Sequence, residues 1–452
     1  MNTSFFGELL QTISERGRAL LVRDRRGDAS ARSENLVELC EDLLSGRGEA
    51  SGVALAREIL THYATLTTGP RIAFFEALAE RFGTDPARLE QAVAAWQANP
   101  SDTTAAEVHA ASEPRRQELF RRVNLAPGGT AALVRMREQL MDVLEHREDL
   151  RAVDNDFVHL FSSWFNRGFL VLRRIDWSTP AIVLEKIIRY EAVHEIHDWE
   201  DLRGRIDPPD RRCYAFFHPA LVDEPLIFVE VALTRDIPAA IAPILAKERE
   251  VAESDKARTA TFYSISNCQR GLTGVSFGNF LIKQVVEEVS REMPKLSTFV
   301  TLSPVTNFAA WLTRERAEEK SAALTEADKA VLAALDQRGW WRDEEIAQQI
   351  QDTVMRAAAW YYVRARNGRG APLDTVARFH LGNGARLERI NWLADTSDRA
   401  MAQAYGLMVN YLYDLDEIEK NHEVYADSRT VVASGAVQRL LRPPLELVPI
   451  AG

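Results

Sequence analysis

Up to about Phe165, apolar residues recur at spacings of three and four, the period of helices that each bury one face. Breaks at Gly46-Arg-Gly48, Gly69-Pro70, Asn99-Pro100 and Pro127-Gly128-Gly129 read as turns between helices. The clearest helix follows Thr130 as N-cap and sets Leu133, Met136, Leu140, Val143 and Leu144 on one face. Another opens at Asp85-Pro86, a capping carboxylate followed by proline at the first helical position, and stops before Pro100. Such a bundle shows no obvious site of chemistry, and its apolar faces suit an internal core or a partner subunit equally well.

After Phe165 the pattern changes. Cys213 to Phe217 and Leu226 to Thr234 are nearly continuous apolar runs, as expected of strands inside a sheet, and the short connection from Pro219 to Pro225 predicts an antiparallel pair. A third strand, Thr261 to Asn267, leads into the glycine-spaced turn Gln269-Arg270-Gly271-Leu272-Thr273-Gly274. An amphipathic helix follows, burying Phe280, Leu281, Val285, Val286 and Val289, and a second strand then ends at Leu302-Ser303-Pro304. Helix-rich sequence runs from Asn307 to about Arg366. The last unit contains His380, a turn at Gly382-Asn-Gly384, a strand from Leu387 to Leu393, and a helix opening near Thr396-Ser397 that holds Tyr411 and Tyr413. The expectation is a multidomain α and α+β protein, with a helical bundle over residues 1–165 and a mixed-sheet domain over 166–452.

Length and charge narrow the function. The chain has 452 residues, enough for two or three cores. Its formal charge of -11 argues against a broad nucleic-acid-binding face. The pairs Arg115-Arg116 and Arg121-Arg122 read as ordinary helix-surface charge. Cys40, Cys213 and Cys268 share no metal or disulfide spacing, which fits a reducing, cytoplasmic setting. The opening residues lack the features of a signal peptide, and no apolar run approaches the ~20 residues needed to cross a bilayer.

Strand, glycine turn and helix start together form a phosphate cradle, because unpaired N–H groups and the helix dipole favour anions. Gly271 and Gly274 permit close approach or positive φ, and Gln269 or Arg270 can add a donor; a merely tight connection also needs glycines. The turn is neither a P-loop nor a dinucleotide fingerprint. Gly274-Val-Ser276-Phe-Gly278 matches a nucleophile elbow, with Asp374 and His380 following in order. That hydrolase reading lacks an upstream oxyanion segment and leaves Gly271 unexplained. Ser303 leaves a strand before a proline, a common place for cleft residues, though it also suits a cap for a helix near Asn307. His194-Glu-Ile-His197 misses a zinc motif by one position, and no metal is assigned.

Three separated motifs resemble malonyl-CoA decarboxylases: Gln269-Arg-Gly-Leu-Thr-Gly-Val275 with Gly278-Asn-Phe-Leu-Ile-Lys283, Leu302-Ser-Pro304 with Phe308 and Trp311-Leu312, and Phe379-His-Leu-x-Asn-Gly384 with Arg389-Ile-Asn-Trp392. The resemblance implies a catalytic domain similar to GNAT-type acetyltransferases, whose two central parallel strands splay apart beside bound CoA. It implies Ser303 and His380 as the catalytic pair with Tyr413 nearby, and CoA pyrophosphate at Gln269, Arg270, Gly271, Leu272, Thr273 and Gly274. It implies malonyl-CoA as substrate, no separate cofactor since CoA is part of the substrate, and a helical oligomerisation domain giving a tetramer built as a dimer of dimers. Ser276 stands where members often carry an acidic residue. Phe308 and Trp311 are expected to wall the acyl site. Rival readings are a GNAT-type acyl-CoA N-acyltransferase, which needs an amine acceptor, and a non-catalytic acyl-CoA sensor.

Overall fold

The computed structural model of the protein describes residues 35–45, 49–275 and 281–441. It divides into two compact units, one comprising the chain to Val171 with His218–Glu224 and Gln269–Phe277, the other the remainder.

In the first unit the helices are α1 (Asn35–Leu44), α2 (Glu49–Ala64), α3 (Thr68–Glu80), α4 (Pro86–Ala98), α5 (Asp102–Ser112), α6 (Arg115–Asn124), α7 (Gly129–Met141) and α8 (Arg151–Trp164). Asp85 caps α4 as its sequence predicts, accepting from the N–H groups of Ala87 and Arg88. The cap of α7 differs: Gly128 occupies it at φ 73°, and Thr130 lies inside the first turn, donating from Oγ1 to Asn124 Oδ1 at 2.7 Å. Leu133, Met136 and Leu140 of the expected stripe are buried on α7, but the helix ends at Met141, so the half-buried Val143 and the buried Leu144 lie in the turn beyond it. Phe120 stacks on Phe157 with ring centroids 4.2 Å apart, tying α6 to α8. Arg116 is not surface charge. It is buried and ion-paired with Asp156, whose other oxygen accepts from Gln117 Nε2 at 2.6 Å. Buried charge is tolerated here because it is fully paired.

The second unit is built on an eight-stranded mixed sheet. Its strands are β1 (Val171–Ile175), β2 (Arg211–Phe217), β3 (Pro225–Thr234), β4 (Thr259–Asn267), β5 (Thr298–Thr301), β6 (Ser303–Pro304), β7 (Arg386–Asn391) and β8 (Met408–Leu412), in the order β1-β2-β3-β4-β5-β8-β6, with β7 also paired to β8. The predicted antiparallel pair is β2 and β3. Helices α9 (Ala181–Tyr190) and α10 (Trp199–Ile206) lie between β1 and β2, and β4 and β5 are parallel, joined by the crossover helix α11 (Leu281–Glu292) that parallel pairing requires. That helix buries Leu281, Val285, Val286 and Val289; Phe280 and Ser276 lie outside the described residues.

Pairing between β4 and β5 covers only Thr259–Phe262 against Thr298–Thr301, followed by one bond from Leu302 N–H to Phe262 O at 2.9 Å. Beyond that point β4 continues to Asn267 without β5, while Ser303 and Pro304 pair with β8. The two parallel strands therefore splay apart, as the resemblance implies. Tyr411 and Tyr413 prove not to lie on a helix: Tyr411 is within β8, and Tyr413 follows it with its N–H bonded to Phe299 O at 2.8 Å. The helix capped by Ser397 is short, Asp398–Ala404, and ends before them. Alternation along a strand repeats every two residues, so the two tyrosines face one side.

Candidate active site

Ser303, His380 and Tyr413 come together in the second unit. Ser303 Oγ lies 3.3 Å from His380 Nε2, and His380 Nδ1 lies 2.8 Å from the Tyr413 hydroxyl. All three are buried. Two further residues complete the row. Ser303 donates to Thr301 Oγ1 at 2.9 Å, which also accepts from Tyr411 N–H at 3.2 Å, and the Tyr411 ring stacks on the imidazole with centroids 4.5 Å apart. Thr301 and Tyr411 escape motif reading, yet each sits two residues from a named one, and strand alternation is the signal that finds them.

The local fold explains the convergence. His380 lies in the last turn of the helix Thr375–Gly382, whose N-cap is Asp374. Asp374 accepts from Ala377 N–H at 2.7 Å and, on its other oxygen, from Thr306 N–H and Oγ1 at 2.8 and 2.7 Å. One carboxylate thus fastens the exit from β6 to the start of the histidine helix. Asp374 is accordingly not the acid of a hydrolase triad, because the Nδ1 partner of His380 is Tyr413. Ser303 is not a helix cap either; it pairs with Val409 in the sheet.

Burial sets the protonation states. With no charged partner to offset desolvation, the His380 imidazole is pushed down to about 3 and the Tyr413 phenol well up, so both are neutral near pH 7. Beside them opens a cavity of about 290 Å³ with apolar walls from Val193, Ile227, Phe262, Ile265, Val376 and Phe379. Asn267 and Thr375 add neutral polar groups, and none of the described lining residues is Lys or Arg. Phe308 and Trp311 are not in this wall. They pack with Tyr361 in a separate aromatic cluster, at centroid distances of 5.1 to 5.7 Å.

The glycine turn belongs to the first unit. A Cβ on Gly271 would sit 2.1 Å from Val134 O of α7, so this glycine is required by close packing of backbone against a helix. Gly274 takes φ 82°, the positive value that its residue type allows. Arg137, ion-paired with Asp154 at 2.8 Å, donates to Gly271 O and Thr273 O at 2.8 Å each. Arg270 pairs with Asp142 at 2.6 Å, and Gln269 donates to Glu224 at 3.4 Å. The N–H groups of Leu272, Thr273 and Val275 bond within the turn.

His194 and His197 lie in the irregular segment between α9 and α10, so no helix sets their spacing. Among the described residues no three His, Cys, Asp or Glu side chains are grouped to hold a metal, and no helix is long and apolar enough to cross a membrane.

Comparison with known proteins agrees with this arrangement. The family model described as malonyl-CoA decarboxylase C-terminal domain matches residues 168–449, and that of the malonyl-CoA decarboxylase N-terminal domain matches 82–165. The mitochondrial malonyl-CoA decarboxylase of Anser anser anser is 35% identical over 417 residues, covering 84% of this chain and 82% of that protein. The Rattus norvegicus enzyme is 35% identical over 399 residues, covering 80% of each. Crystal structures of malonyl-CoA decarboxylases from Rhodopseudomonas palustris and Agrobacterium vitis share 58% and 55% identity. Each covers 90% of this chain at a TM-score of 0.87, over 99% and 100% of their own length. The chain therefore belongs to the malonyl-CoA decarboxylase family of carboxy-lyases.

Proposed function

We infer that this protein converts malonyl-CoA to acetyl-CoA and carbon dioxide through a thioester enolate, with Ser303, His380 and Tyr413 as its catalytic row and no metal or biotin. The observation that carries the reading is an uncharged hydrogen-bonded row beside an apolar cleft. A malonyl carboxylate entering that cleft loses solvation and meets no lining guanidinium or ammonium. Departure of carbon dioxide removes that charge from the carboxylate and leaves the electron pair on the thioester, which acts as electron sink. In this reading the Tyr413 hydroxyl donates to Nδ1, which puts the ring hydrogen on Nε2, facing Ser303. Ser303 turns its hydroxyl from Thr301 to the acyl group, and with His380 it orients the carboxylate and hands a proton to the carbon. Beyond Phe262 the edge of β4 facing the splay has backbone groups without a strand partner, available to the enolate oxygen; one such donor is worth roughly 2.7 to 4 kcal/mol.

The turn at Gln269, Arg270, Gly271, Leu272, Thr273 and Gly274 takes the CoA pyrophosphate. Because the peptide is planar and trans, anchoring Thr273 O on Arg137 aims the Gly274 N–H the opposite way, as an anion donor. CoA enters as part of the substrate, so no separate cofactor is needed. Residues 1–165 serve oligomerisation into a dimer of dimers, and 166–452 carry catalysis. A cytoplasmic setting fits the three free, buried cysteines. Incubating the purified protein with malonyl-CoA alone tests the reading: acetyl-CoA and carbon dioxide form in equal amounts without an amine acceptor, and their absence rejects it.

A further inference from the structure

Each decarboxylation takes up one proton at the carbon that loses carbon dioxide. The Ser303, His380 and Tyr413 row holds only neutral, weakly acidic groups, so a proton passed from it has to be replaced from a stronger acid. Such an acid lies behind another wall of the same cleft.

Glu230 on β3 is fully buried in the sheet. It pairs with Ser264 on β4, while the next residue, Val231, pairs with Phe262, so Tyr263 is the extra residue of a β-bulge. Bulges re-aim side chains, and this one turns Tyr263 towards Glu230. Arg205 of α10 donates from Nη1 to Glu230 Oε2 at 2.7 Å and from Nη2 to His194 O at 3.1 Å. Its guanidinium lies 5.9 Å from the Tyr263 ring centroid, and the Tyr263 and His194 rings are 6.4 Å apart. Within this cluster Glu230 Oε1, the Tyr263 hydroxyl and His194 Nε2 are shut from solvent and none makes a well-formed hydrogen bond, although Tyr263 is close enough to both Glu230 and His194 to interact with them. Orphaned buried polar atoms are rare, and internal water is the usual partner of such atoms.

The cluster has two ends. Tyr263 and Val193 line the acyl cleft. Arg205 and Glu195 line a second cavity of about 540 Å³, whose wall includes the exposed Glu200 and Lys247.

We propose that Glu230, Tyr263 and His194, with internal water among them, form a proton relay that carries one proton per turnover from this second cavity to the acyl cleft. The relay rests on the decarboxylase reading. In each cycle the carbon–carbon bond breaks and its electron pair becomes the enolate. A proton leaves the Glu230 carboxyl and passes through water and the Tyr263 hydroxyl, which gives one and takes one, to replace the proton that Ser303 and His380 hand to the carbon. Glu230, left as a carboxylate against Arg205, regains its proton from solvent.

The charges around Glu230 suit this role. Burial raises its carboxyl, Arg205 opposes that, Glu191 reinforces it, and Tyr263 weakly favours the ionised form, leaving Glu230 pushed up to about 7. Arg211 and Cys213 face it from β2. Glu191 is held by Val193 and His194 N–H at 2.7 Å and by Ser264 and Ser266, so Arg205 serves two carboxylates.

The test uses the full chain with malonyl-CoA in ¹³C-bicarbonate and compares Glu230→Gln and Tyr263→Phe with the unsubstituted protein. If protonation slows, the enolate survives to recapture carbon dioxide. The expected result is a kcat loss of roughly tenfold or more, KM nearly unchanged, and label in recovered malonyl-CoA from both variants but not from the parent. The parent's fall in kcat above neutral pH should also vanish in Glu230→Gln. Lower kcat without label and with an unchanged pH profile overturns the relay and makes the cluster a structural one. Should Glu230→Gln fail to fold, Tyr263→Phe, which removes one hydroxyl, decides by the same label. A parent that forms no acetyl-CoA instead rejects the decarboxylase reading itself.

Discussion

Two buried polar clusters border the acyl cleft, and they are built on opposite principles. The row from Tyr413 through His380 and Ser303 to Thr301 is neutral and hydrogen-bonded along its length. The cluster at Glu230 is charged, shares Arg205 between two carboxylates, and leaves three buried polar atoms without a well-formed hydrogen bond. A neutral row whose members bond to one another fixes geometry, because each holds the next in place. An incompletely satisfied charged cluster holds a proton that can move. The contrast teaches that alignment and proton supply are divided between the two walls of this cleft.

The sharpest way to break the contrast is to disable the neutral row. His380→Ala and Ser303→Ala should each lower kcat by about 10² to 10⁴-fold, with binding of a non-reacting CoA thioester mostly retained, as steady-state kinetics and calorimetry would show. Equal loss of binding and turnover would mean that the row only supports the fold. Tyr413→Phe keeps the ring and removes one hydrogen bond to Nδ1, so a loss nearer tenfold is expected.

Acid stability separates the clusters by sign. The unfolded imidazole of residue 380 titrates near 6.5 and the folded one near 3, so the unfolded chain binds more protons between those values. Stability contributed by His380 is therefore complete above pH 6.5 and lost as pH falls towards 3. Glu230, raised in the fold from 4.5, works the other way and costs stability as pH rises from 4.5 to about 7. Melting temperatures across pH 4 to 8 should show a shallower acid slope in His380→Asn and a shallower neutral slope in Glu230→Gln. Parallel curves in both variants would remove the distinction.

Gly271→Ala supplies the smallest effect and a control outside both clusters. Its Cβ meets the Val134 carbonyl rather than a flexible side chain, so overpacking should cost about 1 to 3 kcal/mol, read as a lower denaturant midpoint. If the turn also holds pyrophosphate, KM should rise while kcat changes little.

Much of the site could be read from the chain. The strand, glycine turn, helix and strand around residues 259–304 are local patterns, and the motifs at Ser303 and His380 stand in short contiguous runs. The misplacement of Tyr411 and Tyr413 on a helix shows where reading stops. A five-residue strand following a short helix carries too little periodicity to separate a period of two from one of 3.6. Gly271 illustrates another limit: a glycine for phosphate approach and a glycine for helix packing look alike until Val134 is seen beside it.

By itself the sequence determined the helical and mixed-sheet halves, the turn, and the residues from which chemistry was expected, because capping, alternation and motif are properties of neighbours along the chain. The tertiary structure alone decided that Thr301 and Tyr411 complete the row, that the apolar wall is made by Phe379 and its neighbours rather than Trp311, and that a bulge sets Tyr263 against Glu230 and Arg205. Those facts depend on contacts between segments 25 to more than 100 residues apart, such as Arg205 with Glu230 and Thr301 with Tyr411. Burial then fixes which of these groups carry charge, and burial exists only once the chain has folded.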